Sequence, residues 1–176
     1  MALTKRYIFL DIDGVCNHED WYYQNRVVKK NYKCGDCDPK VVELLNSLED
    51  LGAEVVISSS WGESADKMLE DVGLRLPIVG HTEHFYQDWL CRGNEIEKWI
   101  RDHCEGMGTK YGNGWLYNDN MEFYSHPSKV DYEYVILDDD SDMLLGQAEN
   151  FIHVDGKHGL TQEHIDKARE ILTRHA

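Results

Sequence analysis

The chain has 176 residues, 41% of them apolar and 29% charged, and a formal net charge of −15. That length supports one domain with a full hydrophobic core. The acidic balance excludes a broad surface for duplex nucleic acid, which needs Lys and Arg facing the phosphates, but leaves room for a local site that takes one nucleotide or one strand end.

No apolar run is long enough to span a bilayer. The stretch MALTKRYIFL meets Asp11 without a small-residue cleavage site, so a cytoplasmic location is expected. Tyr7 to Leu10 forms a short apolar strand that ends in Asp11-Ile12-Asp13-Gly14. Residues 15 to 37 are aromatic and polar and read as an irregular insertion or flap. A helix follows, with Asp38 as N-cap and Pro39 at its first position; Val41, Leu44, Leu45, Leu48 and Leu51 recur at helical spacing up to Gly52. Ala53 to Ile57 is a second strand and leads into Ser58-Ser59-Ser60-Trp61. Ser64 caps a short helix ended by Gly73, and Pro77 to Gly80 is a short strand. Ile96, Trp99 and Ile100 mark one face of the helix after Arg92-Gly93. Residues 105 to 131 show little periodicity and read as a long loop or a small β excursion. Tyr134 to Leu137 is a strand that ends in Asp138-Asp139-Asp140, Phe151 to Val154 another, and a last helix starts near Thr161. Strands alternating with helices predict an α/β fold: a mostly parallel central sheet, helices on both faces, and one domain over residues 1–176.

Three apolar strands thus end in chemistry-bearing groups: Asp11 and Asp13, then Ser58 and Ser59, then Asp138 and Asp139. An open parallel sheet binds ligands outside the carboxyl ends of its strands, so these groups can meet at one edge. Close carboxylates repel one another unless a cation sits among them, and an all-oxygen set suits Mg²⁺ better than zinc. Asp11 can attack phosphorus, and Asp13 can protonate the leaving oxygen and then activate water. Gly14 permits a tight turn beside the substrate. Ser58, with Ser59 beside it, can donate to phosphoryl oxygens, and Arg92 can stabilise developing charge. Taken singly, D-x-D-G is common in turns, a serine run is often a strand end or cap, the aspartate run can be a solvated turn, and Arg92 can be a surface cation. Their order along the chain, each behind a strand or at a helix start, carries the inference.

These residues resemble the haloacid-dehalogenase (HAD) superfamily. Phe9 to Val15 matches its first motif, Val56-Ile57-Ser58 the second, Arg92 the third and Ile136 to Asp139 the fourth. S-S-S-W, R-G-x-E-I-x-x-W-I and a late G-L-T at Gly159 to Thr161 are similar to one small subgroup, the HAD domains associated with "Swiss Army Knife" RNA-repair proteins, also found as stand-alone bacterial and phage proteins. The resemblance implies a Rossmann-like sheet with a small or absent cap, Mg²⁺ held by Asp11, Asp13, Asp138 and Asp139, and catalysis by Asp11, Asp13, Ser58 and Arg92. Gly14, Ser59 and Arg92 become substrate contacts. Asp13 implies phosphatase or phosphotransferase chemistry rather than dehalogenation. Arg92 stands where the family usually has Lys, and Asp138 also begins a D-x-x-x-D with Asp142, so both variants of the fourth motif stay open.

The expected substrate is a phosphorylated small molecule or a nucleic-acid end. Trp21, Tyr22, Tyr23 and Tyr32 in the first insertion, and Phe85, Tyr86 and Trp89 in the second, can stack on a base or pack onto the core. His81 and His84 read as loop histidines, with metal or substrate contact as the alternative. Cys34 and Cys37 form a C-x-x-C whose nearest further ligands are Cys16 and His18; reduced, unmetallated thiols are expected, against a zinc-organised adaptor. Other readings are a phosphatase for a sugar phosphate or phosphoprotein, and a silent module that keeps the fold.

Overall fold

The computed structural model describes residues 4–31, 35–84, 90–104 and 131–175. They hold an all-parallel five-stranded sheet: β1 (Lys5–Leu10), β2 (Ala53–Ile57), β3 (Ile78–His81), β4 (Tyr132–Asp138) and β5 (Phe151–His153). The strand order is β3-β2-β1-β4-β5. The chain therefore builds outward from β1 in one direction and then, from β4, in the other. This reversal beside β1 opens a crevice at the carboxyl edge, where ligands of such sheets sit.

Strand alternation divides the core into two. Ile8 and Leu10 of β1, with Val55, Ile57, Val135 and Leu137, face a cluster shared with α2 (Pro39–Asn46), α3 (Ser64–Val72) and α5 (Gln162–Leu172). Tyr7 and Phe9, with Val56 and Ile136, face α4 (Arg92–His103) on the opposite side. There Trp99 meets Tyr7 and Phe9 edge-on, with ring centroids 5.0 and 5.4 Å away, a preferred aromatic geometry. Helices on both faces of a Rossmann-like parallel sheet are what the sequence pattern predicts. No described helix is long and apolar enough to cross a membrane.

Two expectations are corrected. The first insertion is not irregular throughout: α1 (Glu19–Tyr22) and a π-helical turn (Tyr23–Val28) occupy residues 19–28 of it. His18 Nδ1 accepts from the Trp21 N–H and starts this helix. The flap helix buries only Asn25, so no apolar stripe advertises it in the sequence. The helix expected to run from Pro39 through Leu51 instead stops at Asn46, and a 3₁₀ turn (Glu49–Leu51) follows. The Ser47 hydroxyl donates to the Leu44 carbonyl at 2.6 Å, and the Arg169 guanidinium takes the Ser47 carbonyl. Side chains thus satisfy the helix end before Gly52 closes the turn at φ 65°. The expectation for 105 to 131 falls, but for its last residue, outside the described residues.

Candidate active site and metal centre

Register alone aligns the strand-end residues. Leu10 pairs with Ile57 on one side and Leu137 on the other. The next residue along each, Asp11, Ser58 or Asp138, therefore stands at one level, with Asp138 the last residue of β4. The Asp11 N–H donates to Leu137 O at 3.0 Å, and the Ser58 N–H to Leu10 O at 2.9 Å. All three residues are buried.

One carboxylate oxygen each from Asp11, Asp138 and Asp139 lies within 4.8 Å of the others. Burial pushes the Asp11 carboxyl up to about 6, although Ser59, the Ile12 backbone and Arg92 favour its charged form. Burial, then the Asp11 charge, pushes Asp138 up to about 8 against the opposing pull of the Asp140 N–H and Arg92. Asp139 is raised by burial and by Asp140. Such a group resists full ionisation until a cation enters it. Three carboxylate oxygen donors this close together fit Mg²⁺, which takes oxygen ligands and completes its shell with water.

Backbone room around Asp139 is built in. A Cβ on Gly14, where φ is +69°, would sit 2.0 Å from Asp139 Oδ2, and one on Gly156 2.5 Å from it. Gly156 escaped the sequence reading, since no motif singles it out.

The Asp13 carboxylate is not in the three-member group, unlike the four-aspartate metal set expected from sequence. It is exposed. The Trp61 indole donates to both its oxygens at 3.1 and 3.0 Å, and the Asn17 amide to Oδ1 at 2.6 Å. Asn17 Oδ1 in turn accepts from the Gly14 N–H at 3.1 Å. The turn at Gly14 and these two donors direct the carboxylate to the rim. Asp142 has another task as well. Its Oδ2 accepts from the Arg92 N–H at 2.9 Å, and its carbonyl from the Gly93 N–H at 3.2 Å, so it holds the start of α4.

Arg92 faces the carboxylates from that start, with Nε 3.8 Å from Asp138 Oδ2. Its Nη1 donates to Glu95 Oε2 at 2.9 Å and lies 3.5 Å from His84 Nδ1. His84 Nε2 donates to the Ser59 carbonyl at 2.7 Å, and Nδ1 stands 3.3 Å from Glu95 Oε1. A chain of contacts thus joins the second strand end to Arg92. Sequence reasoning missed Glu95, although R-G-x-E places it one helical turn after Arg92. His84 is part of this chain, whereas His81 pairs with Asp66 at 2.8 Å.

Ser58 Oγ accepts from Thr82 at 3.5 Å, which leaves its own proton to give. Ser59 Oγ is buried and meets no hydrogen-bond partner in bonding geometry, yet it is near enough to favour the Asp11 charge. A buried hydroxyl without a partner beside such a group suits an incoming oxygen-rich ligand.

Of the residues named for the zinc alternative, Cys34 lies outside the described residues and the other three are described. Cys16 and Cys37 are buried free thiols, and hydrogen bonding with Cys37, then burial, pushes Cys16 well up. His18 Nε2 pairs with Asp38 at 3.1 Å. The three aspartates are the only metal-competent trio of His, Cys, Asp or Glu among the described residues. Cys34, Tyr32, Phe85, Tyr86 and Trp89 lie outside those residues.

A family model described as the HAD domain in Swiss Army Knife RNA repair proteins matches residues 7–165. The chain belongs to this family. The match spans every strand-end group of the site, from Asp11 to Asp139, and reaches the first turn of the last helix. No curated relative matches the chain.

Proposed function

We propose that this HAD domain is a Mg²⁺-dependent phosphohydrolase that works through an aspartyl-phosphate on Asp11, with a nucleotide or a nucleic-acid end phosphate as substrate. The observation that carries the reading is the buried Asp11 beside Asp138, Asp139 and Arg92 at the carboxyl edge of β1. Asp11, Asp138 and Asp139 would hold the Mg²⁺. When bound, it supplies positive charge that offsets the carboxylates and the substrate phosphate.

The steps follow from the chain's own groups. An Asp11 carboxylate oxygen attacks phosphorus, and the bond to the leaving oxygen breaks. Asp13, at the exposed rim, gives that oxygen a proton. Water then attacks the aspartyl-phosphate, its proton passes to Asp13, and inorganic phosphate leaves with Asp11 restored. Arg92 and the Ser58 and Ser59 hydroxyls bind the phosphoryl oxygens, whose charge grows toward the transition state. Glu95 and His84 hold Arg92 in place. The nucleic-acid part of the reading is supported by the family's description, RNA repair. Another phosphorylated metabolite or a phosphoprotein would use the same chemistry.

The test is phosphate release from nucleotides, 3′- and 5′-phosphorylated oligonucleotides and p-nitrophenyl phosphate. Release with Mg²⁺, loss with EDTA, and loss in Asp11→Asn are expected. Asp11→Asn leaves an amide that cannot attack, so the rate should drop by at least about 10³-fold. Folded protein with metal and no release from any substrate would overturn the proposal.

A further inference from the structure

We infer that the flap helix and its flank, residues 18–31, form a docking surface for single-stranded nucleic acid, beside the site where the end phosphate reacts; that last relation rests on the function proposed above. In a chain of net charge −15, residues 21–31 contain Arg26, Lys29 and Lys30 and not one Asp or Glu; Arg26 pairs with Asp36 at 2.6 Å and lies over the Tyr22 ring, so the two lysines carry the charge offered to a ligand. The same stretch holds Trp21, Tyr22 and Tyr23. Cations with interleaved aromatics are what a flexible strand requires, charge for its phosphates and ring faces for its bases.

The flap's geometry supports this use. Lys29, Lys30 and Lys40 are exposed, and their ammonium groups make no salt bridge among the described residues. Trp21, Gln24, Lys29 and Lys40 line a cleft of about 310 Å³ with the buried His18 and Asn25, a volume at the lower end for small-ligand pockets. Two carboxylates also line it, and both are engaged. Asp38 binds His18 and caps α2, and Asp20 pairs with His158 at 2.8 Å. Tyr23, Val27 and Val28, outside that cleft's lining, stand 56%, 59% and 56% exposed on the same short helical stretch that leads into Lys29 and Lys30. A base can cover an exposed tyrosine ring at little geometric cost.

The flap is rooted in the reacting groups. Asn17, at its base, gives its amide to Asp13 at 2.6 Å and neighbours the Tyr22 hydroxyl. A strand lying on the flap would therefore bring its terminus to the Asp13 rim. An acidic peptide would use the lysines and leave the rings without a role. A duplex would hide its bases from them.

The probe is a fluorescein-labelled single-stranded RNA 8-mer without a terminal phosphate, so that binding is read independently of catalysis. Its anisotropy is titrated with the full chain at 50 and 200 mM salt. Wild type should bind at 50 mM and weaken at 200 mM. Lys29→Ala/Lys30→Ala should weaken binding about 10-fold at 50 mM and lower the salt slope by about 1. Tyr23→Ala should weaken it at least about 5-fold, and Tyr23→Phe should restore it, since stacking needs the ring and not the hydroxyl. The inference is overturned if wild type does not bind at 50 mM, if the variants bind as wild type does, or if charge-matched inorganic polyphosphate competes as well as RNA. Release from p-nitrophenyl phosphate without RNA binding would sink this inference alone. RNA binding without release from any substrate would sink the catalytic proposal alone.

Discussion

Arg92 has a charged partner on each side, Glu95 Oε2 at 2.9 Å and Asp138 Oδ2 at 3.8 Å. Glu95 is the closer anchor and is buried, so it fixes where the guanidinium points. Glu95→Gln keeps the shape and removes the charge. Phosphate release should fall on the order of 10- to 100-fold in kcat/KM, because a small misplacement of a positioned cation is costly; a rate equal to wild type would deny Glu95 the role. Gly14 allows a sharper comparison. Gly14 and Gly52 both have positive φ, +69° and +65°, but an added Cβ meets Asp139 at the first and nothing at the second. Gly52→Ala should cost only the backbone strain, about 1 kcal/mol in urea unfolding, with activity kept. Gly14→Ala should add loss of Mg²⁺-dependent activity, because Asp139 must move. Asp11, Ser58 and Asp138 were legible in the sequence because each directly follows an apolar strand, and parallel register does the rest. Asn17, Trp61, His84 and Glu95 were not assigned these roles. Their partners are set by side-chain geometry across elements, which no local pattern encodes.

Elements were legible where a buried face or a cap imposes a pattern. β2 spans Ala53–Ile57 as read, and α2 starts behind Asp38 with Pro39 first, because the cap bond to the Lys40 N–H and the proline both have local chemistry. α1 was invisible because it buries nothing. Asp38 links these two elements, since its other oxygen binds His18 at the head of α1. Burial pushes the Asp38 carboxyl up, but the His18 bond and the Lys40 N–H outweigh it and leave it below the ordinary value. A carboxyl held low in the folded state favours folding above its unfolded pKa. That contribution is lost as pH falls through the folded value. Asp38→Asn keeps a cap acceptor and removes the charge. Urea unfolding should find wild type more stable than Asp38→Asn at pH 7, with the gap closing toward pH 3. A gap that stays constant over that range would show that the charge plays no part.

At the scale of the molecule, the fold converges its strand ends on one edge and thereby concentrates charge there. Three carboxylates stand within 4.8 Å of one another, two of them buried, and Arg92 is the cation that faces them. Function is served at the expense of the metal-free fold, as is common at active sites. The consequence is opposite in sign with and without metal. In EDTA at pH 8, Asp138→Asn removes one member of the repelling set, so its Tm should exceed that of wild type. With Mg²⁺ at about 100 times its Kd, wild type should gain about 2.7 kcal/mol, because an ion that binds only the folded state stabilises it by mass action. For a chain of this size that is a rise of roughly 5 to 10 °C. Asp138→Asn lacks one ligand and should gain little, so the order of the two melting temperatures should invert when Mg²⁺ is added. Two melting curves that move in parallel on adding Mg²⁺ would remove Asp138 from the metal site. A wild type already the more stable in EDTA would show that Arg92 and the backbone donors suffice to neutralise the cluster.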